Sequence, residues 1–275
     1  MLLLGDSYYW TRHALHQHLE AIGLRSDDAV MVHAGLRSVG FMLNGPDALI
    51  GAILDVIGPT GTLLCYVNWD QQYEDALDEQ GYLPAELKSA IPPFNPLTSR
   101  ASKDHGAFAE FVRTTPGARR SLNPGASVVA IGYRAEWFTA PHSLDYGYGP
   151  DSPFARLVAE DGKILVIGAP LDTISILHHA EHLAQLPGKR VRRMEVPLLV
   201  NGRVDWRLIE EFDTVDPVVA GLDDDYFGTI VREFLAGGAG RQALVGAAPS
   251  VLLPAADIVA FAVRWLEQQA GPFSH

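Results

Sequence analysis

The chain is poor in cysteine. Among its 275 residues only Cys65 carries a thiol, and it sits inside an apolar run. No disulfide framework is possible within the chain, and a reducing compartment, the cytoplasm, is expected. Basic residues are also scarce: 21 Lys and Arg against 33 Asp and Glu give a net charge of −12. That balance disfavours nucleic acid and favours neutral or cationic partners. No run approaches the roughly 20 apolar residues of a membrane span. The opening MLLLGDSYYW lacks the basic start of a signal peptide. There is no G-x-S-x-G elbow, which argues against a hydrolase serine. Gly237-Gly238-Ala239-Gly240 has no strand before it and no Lys-Ser/Thr after it, so it reads as a helix stop and not as a phosphate loop.

What is present is an ample core, with 48% apolar residues, and a regular alternation of elements in the first third. Thr11 can cap a helix over 12–22, and Gly23 can end it. Apolar runs at 29–33 and 62–67 read as strands, with a helix over 47–57 between them. The order α, β, α, β with spacing of about 30 residues predicts a parallel sheet covered by helices. The middle is irregular: 73–88 is acidic and weakly helical, 105–113 is helical, 127–131 is a strand and 154–159 is a helix. Later, Asn201-Gly202 predicts a hairpin between strands over 191–200 and 204–208. Residues 210–225 are acidic, 227–235 and 255–268 are helical, and 250–253 is a short strand. Nothing repeats and no linker divides the chain, so one domain over 1–275 is expected.

Residues 163–187 concentrate the chemistry. An apolar strand ends at Gly168, and a helix capped by Asp172 or Thr173 is predicted to run to about Leu186. It carries His178, His179, Glu181 and His182. Imidazoles beside a carboxylate after a strand–turn–helix junction suit proton transfer. His178 and His182 also have the i, i+4 spacing of a helical zinc site, but the pattern is not H-E-x-x-H and no further ligand cluster has suitable spacing. Arg119-Arg120 is a small basic island that can hold an anionic phosphate or pair with surface acids. Trp69-Asp70 and Tyr73-Glu74, together with the acids that follow the hairpin, make acidic–aromatic clusters suited to ammonium groups.

Several segments together carry a resemblance: VHAGLRSVG (32–40), GPTGTLL (58–64), NWDQQYE (68–74), PPFNP (92–96), PGARRSLNPGAS (116–127), YGPDSPFARL (148–157), GKILVIGAPLDTISILHHAEHLA (162–184) and PAADIV (254–259). In this order and spacing the chain resembles the aminoglycoside 3-N-acetyltransferase family, antibiotic acetyltransferases outside the GNAT fold. The resemblance implies an α/β fold with a central mixed, mostly parallel sheet flanked by helices and a β-hairpin insertion in the C-terminal half. It implies acetyl transfer from acetyl-CoA to the 3-amine of a deoxystreptamine ring, conferring resistance, with no metal. His178 is then the general base and Glu181 its carboxylate partner, with His33 near the reacting groups. Cofactor contacts are implied at Gly35, Leu36, Arg37, Ser38, Val39 and Gly40, and at Arg120, Ser121, Asn123, Thr173 and Ser175. Substrate contacts are implied at Trp69, Asp70, Tyr73, Glu74, Glu211 and Asp213. Backbone N–H groups opening the 173–186 helix would face the thioester oxyanion. Two positions depart from the family pattern: Gly35 stands where a hydroxyl residue is usual, and Asn123 where a histidine is usual. The remaining alternatives are an acetyltransferase for another amine metabolite, a metal-dependent hydrolase using His178, Glu181 and His182, and a non-catalytic binder of cationic ligands. Either a monomer or a homodimer is compatible with these features.

Overall fold

The computed structural model describes residues 1–69 and 71–271. Its centre is a seven-stranded sheet in the order Arg241–Val245, Ala248–Pro254, Lys163–Ile167, Ala29–Ala34, Thr62–Tyr66, Val128–Gly132, Arg119–Arg120. Ala29–Ala34 pairs in parallel with both Thr62–Tyr66 and Lys163–Ile167. The other neighbours pair antiparallel. The sheet is therefore mixed and helix-flanked, as expected, but its parallel part is confined to the three central strands. The reason is plain at one edge. Arg241–Val245 and Ala248–Pro254 are joined through Gly246-Ala247, a link far too short for the crossover that a parallel pair needs.

The central strands read as continuous apolar runs because both faces are covered. Val30, Val32, Leu63 and Cys65 point to one core, and Met31, Leu64 and Tyr66 to the other. The first core is covered by Arg12–Ile22 and Pro46–Ile57. Thr11 Oγ1 accepts from Ala14 N–H at 3.2 Å, Leu15, Leu19 and Ile22 are buried, and Gly23 turns out of the helix at φ 115°. Pro153–Ala159 and Ala255–Ala270 cover the second core, placing Phe154, Leu157, Ile258 and Ala262 against the sheet.

A third, smaller core lies under the hairpin Val191–Val200/Arg203–Phe212, where Trp69, Tyr73, Phe94, Val196 and Ile209 pack together. The hairpin turns at Asn201-Gly202 as predicted, and its return strand runs over Arg203–Phe212 rather than 204–208. The region 73–88 is not a helix. Only Glu74–Ala76 and Lys88–Ala90 form single 3-10 turns. Gly81 takes φ 87° and its carbonyl accepts from Glu195 N–H at 2.7 Å, so the chain docks on the hairpin instead of coiling. A Cβ at Gly81 would meet Arg193 O at 2.3 Å. Other strands were not expected from the sequence: Arg241–Val245 and Arg119–Arg120 at the two edges of the main sheet, and the separate N-terminal pair Leu2–Leu4/Ser7–Tyr9, all with little apolar periodicity.

The stretch after Lys163–Ile167 also differs. Leu171–Thr173 is a 3-10 turn, Ile174 leaves the helical region at ψ 88°, and the helix proper is Leu177–Leu183. Its first turn therefore starts at Leu177 and not at Thr173. The oxyanion role expected of N–H groups near Thr173 loses its structural basis.

Candidate active site

His178 lies on the first turn of Leu177–Leu183 with Glu181 three residues on, so both side chains share one face. His178 Nδ1 is 2.7 Å from Glu181 Oε2. Glu181 is 1% exposed, and its other oxygen, Oε1, accepts from the Tyr226 hydroxyl. Both carboxylate oxygens of this buried acid therefore have partners, as a buried charge requires. Tyr226 opens the helix Tyr226–Ala236 and is itself buried, which raises its pKa. The His178 ring lies 4.8 Å from the Tyr148 ring and 4.9 Å from that of Phe227, so its plane is fixed from two sides. With Nδ1 held by the carboxylate, Nε2 is the nitrogen left for chemistry.

One cavity adjoins this dyad, and three more follow from it through shared lining residues. The first, about 240 Å³, is lined by His178, Tyr226 and Phe227 with Asp172, Thr214 and Asp224. It meets a second at Thr214 and Val215. This second cavity, about 180 Å³, is lined by Tyr66, Asn68, Gln71, Glu74, Glu211 and Asp213, among others. Tyr66 then leads to a third of about 160 Å³, which holds His33, Gly35, His105 and Thr173. Ala169 and Pro170 join that one to the largest, about 990 Å³, lined by Ser38, Gly168, Leu171, Gln242, Leu244 and Arg232 among others. The result is a row of cavities that share walls, acidic at one end and largely apolar at the other.

Electrostatics divide the series. Burial raises the pKa of Glu211, although N–H groups of Phe212, Gly147 and Tyr148 and the nearby His178 favour its charged form. Glu74 pairs with Arg192 at 2.9 Å and Asp213 with Arg190 at 3.2 Å. Burial, helped by His105, lowers His33 to about 4, and its Nε2 has no hydrogen-bond partner. His105 is likewise lowered by burial, and its ring stands edge-on to Tyr66 at 4.6 Å. Burial thus favours the uncharged form of both imidazoles.

Comparisons with known proteins identify the family. A family model described as aminoglycoside 3-N-acetyltransferase matches residues 31–267. The chain belongs to the aminoglycoside 3-N-acetyltransferase family. It is 44% identical over 265 residues to aminoglycoside N(3)-acetyltransferase III of Pseudomonas aeruginosa, covering 93% of this chain and 94% of that one. A solved structure described as AAC-IIIb binary with CoASH is 56% identical, with a TM-score of 0.95 over 98% of this chain and 100% of that chain. AAC-VIa bound to sisomicin is 40% identical, with a TM-score of 0.90 over 96% of this chain and 100% of that chain.

Within this family fold, the residues singled out from sequence separate into groups. His178 and Glu181 come together. Glu74, Glu211 and Asp213 line the acidic cavity, whereas Asp70 lies outside the described residues. Trp69 and Tyr73 do not offer aromatic faces to that cavity. Their rings pack tilted by 54° with centroids 6.2 Å apart, Trp69 lies 5.8 Å from Phe94, and both belong to the core under the hairpin. On the cofactor side, Gly35, Ser38 and Thr173 line cavities. A Cβ at Gly35 would meet Gly168 O at 2.5 Å, so the strand–turn packing itself demands glycine there. Leu36 and Arg37 lie on the short helix Leu36–Val39, Val39 is fully buried in the core, and Gly40 turns at φ 90°. Ser175 is buried beside the chain, with its hydroxyl directed at Thr173 O.

Arg120, Ser121 and Asn123, expected at the cofactor, make their side-chain hydrogen bonds within the protein. The Arg120 guanidinium donates to Ser127 Oγ at 3.0 Å and Ser99 O at 2.6 Å and also to Val67 O, and burial lowers its pKa to about 9. Its charge is spent on the fold. Ser121 Oγ accepts from Val128 N–H at 3.0 Å and bonds His142 at 2.9 Å. Asn123 donates to Ser143 O at 2.8 Å and accepts from Ala126 N–H at 2.8 Å. All three belong to a bonded loop beside the acidic cavity and none lines the large apolar one.

The metal reading finds no ligand set: among the described residues no group of three His, Cys, Asp or Glu converges. His178 is turned to Glu181, and the His182 ring packs 5.1 Å from Phe212. His179 Nδ1–H donates to Tyr148 O, 2.6 Å away, as a structural group. Sequence reading missed His105, Tyr66, Tyr148 and Tyr226. His105 reads as the first residue of a helix and Tyr66 as the end of a strand. Only the Gly/Tyr/Pro character of 146–153 hinted at Tyr148.

Proposed function

We propose that this chain transfers the acetyl group of acetyl-CoA to the 3-amino group of the deoxystreptamine ring of aminoglycosides, inactivating them and conferring resistance. The observation that carries the reading is the fixed line Tyr226–Glu181–His178, which leaves one imidazole nitrogen beside an acid-lined cavity. A relative with CoASH bound and another with sisomicin bound support the two substrates. One domain over 1–275, working in the cytoplasm, is the organisation we assign.

An amine attacks a thioester only when it gives up a proton, and a histidine is suited to take it near neutral pH. His178 accepts the N–H proton as the nitrogen bonds to the thioester carbonyl carbon. The C–S bond breaks, and His178 returns the proton to the departing sulfur. Such general-base help contributes roughly 10²–10⁴-fold. Glu181 holds the imidazole and stabilises its positive charge during transfer. His33, kept uncharged by burial, offers its unpartnered Nε2 to the thioester oxygen. The large cavity bordered by Ser38 and Gly168 has room for a pantetheine arm, and Arg232 in its lining, paired with Asp225 at 2.7 Å, suits a phosphate. Cys65 is buried with a raised pKa and supplies no nucleophile, so transfer is direct.

Thiol release from acetyl-CoA in the presence of an aminoglycoside panel tests the reading. Aminoglycoside-dependent release is expected. Its absence, with binding intact, would make the chain a binder. Stable labelling of the protein by acetyl-CoA alone would indicate a covalent route.

A further inference from the structure

Away from the row of cavities around the dyad, Arg25, Lys163 and Arg241 line a separate cavity of about 330 Å³, completed by Gly23, Gly240 and the apolar end of Ala248–Pro254. Three basic residues on one small cavity are unusual for a chain of net charge −12. The sheet register brings two of them together. Arg241 is opposite Leu252, and Leu252 is opposite Leu165. Directly opposed residues share a face, and these two leucines face the core covered by Arg12–Ile22. Lys163, two residues before Leu165, shares that face. Its Cα and that of Arg241 are two strands and two residues apart, on the order of 12 Å, a gap that two long side chains close around one ligand. Arg25 enters from the end of the Arg12–Ile22 helix. Gly23 lets the three meet: a Cβ there would lie 2.8 Å from Arg241 Cδ, and its carbonyl accepts from Lys163 Nζ at 3.3 Å.

The donors are only partly used. The Arg241 guanidinium has no hydrogen bond or ion pair among the described residues. Arg25 uses Nη1 alone, on Glu20 O at 2.6 Å and Leu24 O at 2.8 Å, and so covers carbonyls near the helix end. Lys163 Nζ bonds Asp28 Oδ2 at 2.6 Å and Gly23 O, which leaves one of its three N–H groups. Asp28 offsets one of the three charges. What remains, two guanidinium forks and an ammonium, matches a multiply charged anion with several acceptor oxygens better than a single carboxylate. We propose that this cavity binds a phosphate-bearing anion at a site separate from both substrates. The strand Lys163–Ile167 begins here and leads to Gly168 in the large cavity, five residues and roughly 16 Å away. That cavity is also lined by Arg232 and Leu235 of Tyr226–Ala236, a helix packed on the other core.

The test is calorimetric titration of inorganic pyrophosphate, and separately of AMP, into the full chain saturated with CoA. Saturation keeps both probes out of the cofactor cavity. At least one probe should bind, and the tighter of the two tells a free phosphate from a phosphate carried on an organic molecule. Arg241→Ala removes a side chain without internal partners, so the fold is kept, and it should weaken that binding about tenfold. Arg232→Ala, in the large cavity, should leave it unchanged. Binding of neither probe to the CoA-saturated chain would overturn the proposal. So would binding that Arg241→Ala leaves intact, or that Arg232→Ala removes.

Discussion

Two polar stretches flank the acidic cavity and differ in one respect. In the loop 119–127, Arg120, Ser121, Asn123 and Ser127 all have their hydrogen bonds made within the protein. In the turn 68–74 and its neighbours on the hairpin, Asn68 Oδ1 is buried without a partner and Glu211 is held against its own desolvation. Composition does not separate them. What separates them is whether each donor and acceptor is already spent. The first stretch holds the sheet edge and the cavity wall, and the second is where a ligand has something to satisfy.

Substitutions can break this contrast. The largest effect is expected for Arg120→Ala, which strands the carbonyls of Ser99 and Val67. Chemical denaturation should show a loss of about 3 kcal/mol, with the KM for acetyl-CoA of the folded enzyme unchanged. A raised KM at native stability would return Arg120 to the cofactor. Next comes Tyr226→Phe, which keeps the ring but removes the hydroxyl bonded to Glu181. Steady-state kinetics should give a kcat lower by about tenfold with little change in KM, because the hydroxyl acts through Glu181 and not on the ligand.

Glu211→Gln sharpens the contrast from the other side. Its charge is opposed by burial, so the variant should be equal or higher in thermal stability. Aminoglycoside affinity should fall by a few-fold, within the range of about 1 kcal/mol for a partly shielded charge contact. A gentler probe is pH. His33 and His142 are lowered by burial to about 4 from an ordinary 6.5. The unfolded chain therefore binds more protons than the native one between these values, and stability rises with pH across that window. The unfolding midpoint should drop as pH falls from 6.5 to 4 and change less above 6.5. A flat profile would mean that these rings are not buried neutral.

Much of the fold was legible because its strong elements have strong local signals. The Thr11 cap, the Gly23 stop, the all-apolar central strands and the Asn201-Gly202 turn each act within a few residues. The dyad was legible for the same reason, since His178 and Glu181 are three apart on one helix. Other residues have partners that only long-range contacts reveal. Arg120 reads as a basic island until Val67 and Ser99 arrive from distant segments to use it. Trp69 and Tyr73 read as cation-binding aromatics until the hairpin covers them. Tyr226 lies 45 residues from the acid that it bonds. The helix starting at Leu177 and not Thr173 shows the reverse case, where Ile174 is drawn into the core and breaks a locally plausible turn.

The assignment of His178 as the base is tested most directly by His178→Ala, with the transfer rate measured in single turnovers at saturating acetyl-CoA and aminoglycoside, beside calorimetric affinity for the aminoglycoside. The expected result is a rate lower by roughly 10²–10⁴-fold with affinity within about threefold. A transfer rate within about threefold of the native enzyme, less than 1 kcal/mol in the barrier, would contradict it.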